Sequence, residues 1–188
     1  MIKKILASVL LLIVVAQSAY SETANIAQGD NAEMAKMFAE DQAIRGEIYQ
    51  RGGWAKVKDD KAFLERWQSE DAARLSRTAK MLQTGAIKSG IDYYRAAFIF
   101  QHGQNADEYL KAHHLAVISL SLGYKDAKWI SAATLDRYLQ SIGKPQIYGT
   151  QFQGPDRQPA QPFDANLVSD FERRALDVPP LAIRNPQP

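Results

Sequence analysis

The hydrophobic positions of this chain fall into a series of helical periods separated by glycine. From Asn31 to about Tyr49, Met34, Met37, Phe38, Ile44 and Ile48 recur at near-helical spacing, with Asp30 standing where an N-cap belongs and Gly52-Gly53 stopping the pattern. From Asp60 to about Thr84 a second 3.6-residue stripe runs through Phe63, Leu64, Trp67, Ala72, Leu75, Ala79 and Leu82. Ser69 would break it in two if it acted as an internal cap, and Gly85 and Ser89-Gly90 punctuate its end. Ile91 to Gln101 carries Tyr93, Tyr94, Ala96, Ala97, Phe98, Ile99 and Phe100, apolar on nearly every side. This predicts a central buried helix, with a strand as the competing reading of the aromatic part. Asn105 caps a helix to Leu122, closed by Gly123, and Asp126 begins another through Ile142, closed by Gly143. Small residues at Ala112, Ala116, Ala127, Ala132 and Ala133 suit an antiparallel helical hairpin. The pair looks like one unit of a helical repeat, but no second copy follows at a fixed period.

After Pro145 the pattern changes. Gln146 to Phe152 alternates weakly, Gly154-Pro155-Asp156 signals a turn, and Pro159 to Pro162 is extended, which predicts a short hairpin or arm. Asp164 then caps a last helix to about Ala175, with Leu167, Val168, Phe171 and Leu176 on its packing face. The tail from Val178, with Pro179, Pro180, Pro186 and Pro188, is expected to run extended along the surface. The expected fold is therefore mainly α: a compact helical domain with an antiparallel helical hairpin and a short extended or β arm near residues 146–163. No linker is long or biased enough to divide residues 22–188, whose first nine residues are polar and small and form a frayed start.

The beginning of the chain has a different purpose. Lys3 and Lys4 precede a run from Ile5 to Ala16 in which only Ser8 is not apolar, and Ala19-Tyr20-Ser21 offers small residues for cleavage before Glu22. This is the tripartite pattern of a secretory signal over residues 1–21, too short in its apolar part for the roughly 20 residues of a membrane span. The chain is expected to be exported, periplasmic or secreted, with no stable membrane anchor after cleavage. The absence of cysteine removes lipid attachment through that residue.

Composition then narrows the classes of partner. The 188 residues are 46% hydrophobic and 23% charged, which excludes a disordered tail, a collagen or a disulfide scaffold. Removing residues 1–21 takes away two of the 23 basic side chains and none of the 21 acidic ones, so the mature charge is balanced. A balanced charge gives no electrostatic reason for nucleic acid or an anionic membrane as partner.

Candidate chemistry is sparse. His102, His113 and His114 lie close in sequence, but neither an i, i+4 pair nor the H-E-x-x-H motif occurs, and adjacent histidines point about 100° apart on a helix. No metal site and no cofactor is expected. Asp41 and Arg45 stand at i, i+4, where a local ion pair is the default. Asp136 has small or apolar neighbours at Ala132, Ala133, Leu135 and Leu139, so partial burial is expected, and a buried carboxylate must find a cation or several donors. If Gln146 to Phe152 is extended, Gln146, Tyr148 and Thr150 form an uncharged row of donors and acceptors on one face, with Ile147, Gly149 and Gln151 on the other. Those amides and the phenol can equally well stitch the arm to the helices. No nucleophile elbow, phosphate loop, dinucleotide fingerprint or cysteine nucleophile is present.

Asp41-Gln42 with Arg45, the run Ala96 to His102, Ala133-Thr134-Leu135-Asp136-Arg137, the run Gly143 to Phe152 and Val178-Pro179-Pro180-Leu181 together resemble a bacterial family known as domain of unknown function 6624. The resemblance covers most of residues 41–181. It implies that Asp41, Arg45, Gln101, His102, Asp136, Arg137, Gln146, Tyr148, Thr150 and Gln151 match the family's polar motif positions. The chain departs from the family pattern at Gly103, where an Ala-Asp pair would follow the histidine.

Two functional classes fit these residues. The first is a non-catalytic envelope module that binds a small polar ligand or an exported protein between the hairpin and the arm, with Asp41, Arg45, Gln101, Gln146, Tyr148, Thr150 and Gln151 as binding residues. The second is a hydrolase or transferase in which His102 is the general acid or base, Asp136 orients it or shares its proton, and Arg137 or the glutamine side chains stabilise developing negative charge. A purely structural account of the same polar residues is the third.

Overall fold

The computed structural model describes residues 30–154 and 158–181, so the expected leader, the frayed start at 22–29 and the end of the tail lie outside the described residues. The chain is mainly helical. Its elements are α1 (Ala32–Gln50), α2 (Trp54–Val57), α3 (Lys61–Gln83), α4 (Gly90–Phe100), α5 (Ala106–Ser121), α6 (Ala127–Ser141), β1 (Phe152–Gln153), β2 (Gln158–Pro159) and α7 (Asp170–Ala175). No helix among the described residues is long and apolar enough to cross a membrane.

The apolar segment at 90–100 is the helix α4, and it packs against α1, α3, α5 and α6, which removes the strand alternative. Ala96, Ala97, Ile99 and Phe100 meet Met34 and Met37 of α1, Met81 of α3, Ala112, Leu115 and Ala116 of α5, and Ala127 and Ile130 of α6 in one core. The alanines let α5 and α6 close on α4 as the expected hairpin. Gly90 sets the approach at the other end: a Cβ there would lie 2.8 Å from Cβ of Tyr124, and Ser119 Oγ donates to the Gly90 carbonyl at 2.6 Å. A second, smaller core of Ile44, Val57 and Phe63 joins the far end of α1 to α2 and the start of α3.

Several boundaries differ from the sequence expectation. Asn31, not Asp30, caps α1, accepting from the amides of Glu33 and Met34, while its own amide donates to both carboxylate oxygens of Asp92 at 3.1 and 3.0 Å. Asp92 thereby ties the start of α1 to the first turn of α4. Ser69 lies within an unbroken α3. The short helix α2, which the pattern did not predict, follows Gly52 and Gly53, both at φ +92°. Asp126 precedes α6 without a side-chain cap bond.

The arm forms only a minimal ladder, Phe152 opposite Pro159 and Gln153 opposite Gln158, with a further bridge between Gln146 and Phe163. The last helix is six residues long because Ser169 and Glu172 make a capping box at its start, whereas Asp164 accepts from the amides of Asn166 and Leu167 in a preceding turn. Its packing face is as expected only in part: Val168 is buried, but Leu167 and Phe171 are exposed and Arg173 is buried. The tail does not start on the surface, since Val178 is buried and the Leu181 amide donates to Asp170.

Candidate functional site

The polar residues singled out by sequence separate into two groups, and the first is internal. Asp136 is fully buried on α6. Its Oδ1 accepts from the amides of Ile147 and Tyr148 at 2.7 and 2.9 Å, and its Oδ2 accepts from the amide and hydroxyl of Thr150 at 2.9 and 2.8 Å. The arm therefore wraps around one carboxylate. Gly149, at φ +68°, allows the turn that aims these donors inward. Gln146, also fully buried, accepts from the Gln151 amide and donates to the carbonyls of Gln151 and Ala160. Gln151 in turn donates to the Ala133 carbonyl and to Thr150 Oγ1.

This corrects the expected recognition row. Gln146 points inward to the arm's backbone and Thr150 to Asp136 and the Gln151 carboxamide, so their hydrogen-bonding capacity is used inside the protein. The Tyr148 backbone donates to Asp136 and accepts from buried Arg173, while its phenol is half-buried and pushed up in pKa by burial, then by Asp136 and Glu172.

Arg137 connects this group to the second. Its Nε donates to Gln151 Oε1 at 3.2 Å and its Nη1 to the Gln101 carbonyl at 2.8 Å, with the guanidinium 5.9 Å from the Tyr109 ring centre. It fixes the end of α4, and the next residue is His102.

The second group lies where α1 and α3 face each other beneath His102. Asp41 is fully buried in the middle of α1. Arg45 reaches Asp41 Oδ1 at 2.8 Å as an ion contact without hydrogen-bond alignment, donates to the Asp41 carbonyl, and grips Asp71 of α3 through both terminal nitrogens at 3.3 and 2.9 Å. Arg74 donates to Asp71 at 2.6 Å. His102 Nε2 stands 3.7 Å from Asp41 Oδ2, so the carboxylate facing this imidazole is Asp41. The expected His102–Asp136 dyad is corrected accordingly, because both oxygens of Asp136 are held by the arm.

Above this seam opens a cleft of about 200 Å³ lined by Trp54, Leu64, Trp67, Gln68, Asp71, His102 and Gln104. Four buried polar atoms here, Asp41 Oδ1, Trp67 Nε1, Arg74 Nε and Thr78 Oγ1, have no hydrogen-bond partner among the described residues, Asp41 Oδ1 being met by the Arg45 ion contact alone. Native interiors leave few such atoms without a protein or water partner. Burial pushes the Asp41 carboxyl up to about 6 against the pull of Arg45. Burial, then the charges of Arg45, Arg137 and Arg74, hold the His102 imidazole well below its ordinary value. At neutral pH the cleft thus presents a neutral imidazole over an ionised aspartate.

The remaining histidines lie elsewhere: His113 Nδ1 is 2.9 Å from the Ser131 carbonyl, and His114 is exposed. No group of three potential metal ligands occurs among the described residues. Sequence reasoning found Asp41, Arg45, Gln101 and His102 but missed Trp54, Gln68, Asp71, Arg74 and Gln104. A signal existed in the spacing Trp67, Asp71, Arg74, Thr78, an inward polar stripe beside the apolar stripe of the same helix. Comparison with protein-family models, curated proteins and solved structures returns no match, so the family resemblance rests on the motifs themselves.

Asp136→Asn exchanges an acceptor for a donor facing the arm and is expected to lower unfolding free energy by at least about 2 kcal/mol. Amide exchange should accelerate at Ile147, Tyr148 and Thr150. Tyr148→Phe, which removes a phenol that makes no hydrogen bond with other described residues, should stay within about 0.5 kcal/mol. Urea unfolding with hydrogen exchange checks both, and unchanged arm protection in Asp136→Asn would refute the tie.

Asp41 and His102 should give opposite pH dependences. The folded chain retains a proton on Asp41 up to about pH 6 that the unfolded chain releases near pH 4, so its contribution to stability is full below about pH 4 and lost as pH rises through 6. The depressed imidazole of His102 contributes above about pH 6.5, and that contribution is lost as pH falls. Relative to the parent, Asp41→Asn should gain up to about 3 kcal/mol between about pH 4 and pH 7.5, a shift near two pH units. His102→Gln should gain in the other direction. Urea midpoints at the two pH values test this, and a pH-independent difference for either variant removes its assignment.

Proposed function

We propose that this chain is an exported, non-catalytic binding module that takes a small polar ligand in the cleft beside His102. The observation that carries this reading is the coincidence of that cleft with a buried seam of charged and unpartnered polar atoms, Asp41, Arg45, Asp71 and Arg74 among them. A seam built for stability alone would be better filled with apolar side chains, since buried ion pairs seldom outdo them. Ion pairs that fix carboxylates beside an imidazole at the edge of a cleft suit recognition. The size of the cleft favours a small molecule over an exported protein. The balanced charge of the mature chain argues against nucleic acid.

Export rests on the leader pattern at Lys3 to Ser21. The mature protein recovered from a bacterial envelope or culture fraction is expected to begin at Glu22 by N-terminal sequencing. Recovery of the intact N-terminus from the cytoplasm alone would remove this part of the proposal.

One observation favours a second reading as a hydrolase or transferase: the His102 imidazole, held well below its ordinary pKa by burial, is one-fifth exposed and lies 3.7 Å from the Asp41 carboxylate, within reach of one bridging water. A thermal-shift screen across sugars, amino acids, nucleosides and organic acids separates the readings. A ligand at about 100 times its dissociation constant stabilises by about 2.7 kcal/mol, which raises Tm by about 5–10 °C in a chain of this size. The binding module predicts such a shift, reduced in His102→Gln, with the compound recovered unchanged. Conversion of the compound that depends on His102 would establish the enzyme, and the absence of any shift across the four classes would overturn the cleft as a ligand site.

A further inference from the structure

We infer that the occupant of this cleft is an uncharged saccharide, one ring of which lies against the Trp54 indole while its hydroxyls meet Gln68, Gln104, Asp71 and His102; the inference rests on the binding reading above. Size sets the first limit. At about 200 Å³ the cleft falls below the roughly 300–1,000 Å³ that accommodates drug-sized ligands, leaving room for a single ring.

The walls set the second. Trp54 is 54% exposed, far more than a core indole, yet its orientation is supported: its ring stands 6.0 Å from Trp67 at 75°, and Trp67 packs 5.8 Å from Phe63. An exposed aromatic plate braced from behind offers a large contact area with little rotamer entropy left to lose. The polar groups opposite it are uncommitted. The Gln68 and Gln104 carboxamides make no hydrogen bond with other described residues, and each carries a donor and an acceptor. Asp71 is held rigid by three hydrogen bonds from Arg45 and Arg74, which leaves part of its accepting capacity free. A neutral imidazole adds one donor and one acceptor.

Charge decides between ligand classes. A cation would compete with the Arg45 guanidinium, already 5.7 Å from the Trp67 ring centre, and Arg45 and Arg74 are already paired with the Asp71 carboxylate that lines the cleft. An anion would face the Asp71 carboxylate in the cleft wall. The donors and acceptors that remain are neutral or internally balanced. Adjacent hydroxyls, each both donor and acceptor, complement such a set, and the C–H face of a sugar ring complements the indole.

The test uses tryptophan emission from the mature chain. Only three tryptophans are present, so Trp129→Phe leaves Trp54 and Trp67 of the cleft as the reporters. Glucose, galactose and N-acetylglucosamine are titrated into the tens of millimolar, with choline chloride and sodium acetate as charged probes at matched ionic strength. The expected result is a saturable emission change with at least one sugar and none with choline or acetate. Trp54→Ala, at an exposed position, should weaken that binding at least about tenfold when followed by calorimetry. Gln104→Ala, also exposed, should weaken it measurably with unchanged circular dichroism. No saturable response to any sugar, or an affinity indifferent to both substitutions, would overturn the inference. Saturable binding of choline or acetate that Trp54→Ala abolishes would overturn the saccharide assignment while leaving the cleft a ligand site. Failure of every probe here and of every class in the thermal screen would overturn both.

Discussion

The structure depends on a buried carboxylate. Asp136 has no contact with solvent, and a charge withdrawn from water in this way is tolerated only when its lone pairs are taken by well-placed donors. The arm supplies four, three of them backbone amides, which a loop would otherwise have to satisfy with solvent. A segment with a ladder only two residues long on each side thereby acquires a fixed shape. From there the constraint spreads. Gln151, set by the arm, receives Arg137; Arg137 holds the Gln101 carbonyl; and the end of α4 then delivers His102 to the cleft. Arg173 grips the same arm from the C-terminal side through the Tyr148 and Val168 carbonyls.

The cleft follows a different logic. Where α1 and α3 pass each other, hydrophobic stripes that begin with Met34 and Met37 or end with Met81 are interrupted by Asp41, Arg74 and Thr78. An apolar seam would pack more securely, and the small core of Ile44, Val57 and Phe63 shows that the same helices can do so one turn further on. The price of the polar seam is visible in its titration. Burial moves Asp41 towards protonation and His102 away from it, so in each case burial favours the uncharged form. Such local conflict with packing is common at sites that recognise something.

Much of this architecture was legible. Asn105 capping a helix, alanines at the facing positions of a hairpin, and an aromatic segment too apolar for the surface led directly to α4, α5 and α6. The burial of Asp136 was readable from its small neighbours. The short hairpin of the arm was legible too, but the course of Gln146 to Gln151 was not, because a period-two reading assumes a strand, while here the chain turns at Gly149 and folds its amides around Asp136. The last helix failed for a related reason: a five-residue shift of the cap from Asp164 to Ser169 leaves a helix of six residues whose packing face no longer includes Phe171. The polar stripe of α3 was obscured by the stronger apolar one, Leu64, Leu75, Ala79 and Leu82, on the same helix.

By itself the sequence determined the helical class, the order of the helices, the hairpin and the positions at which polar groups would need explanation. Those are local properties, set by periodicity, caps and side-chain size within a few turns. Only the tertiary structure decided which polar groups meet. It gave Asp136 to the arm and Asp41 to His102, and it brought Trp54 and Gln104 into one cleft across fifty residues of chain. The physical reason is that a buried charge is satisfied by whichever donors the packed helices bring within about 3 Å, and that proximity is not encoded in spacing along a single element.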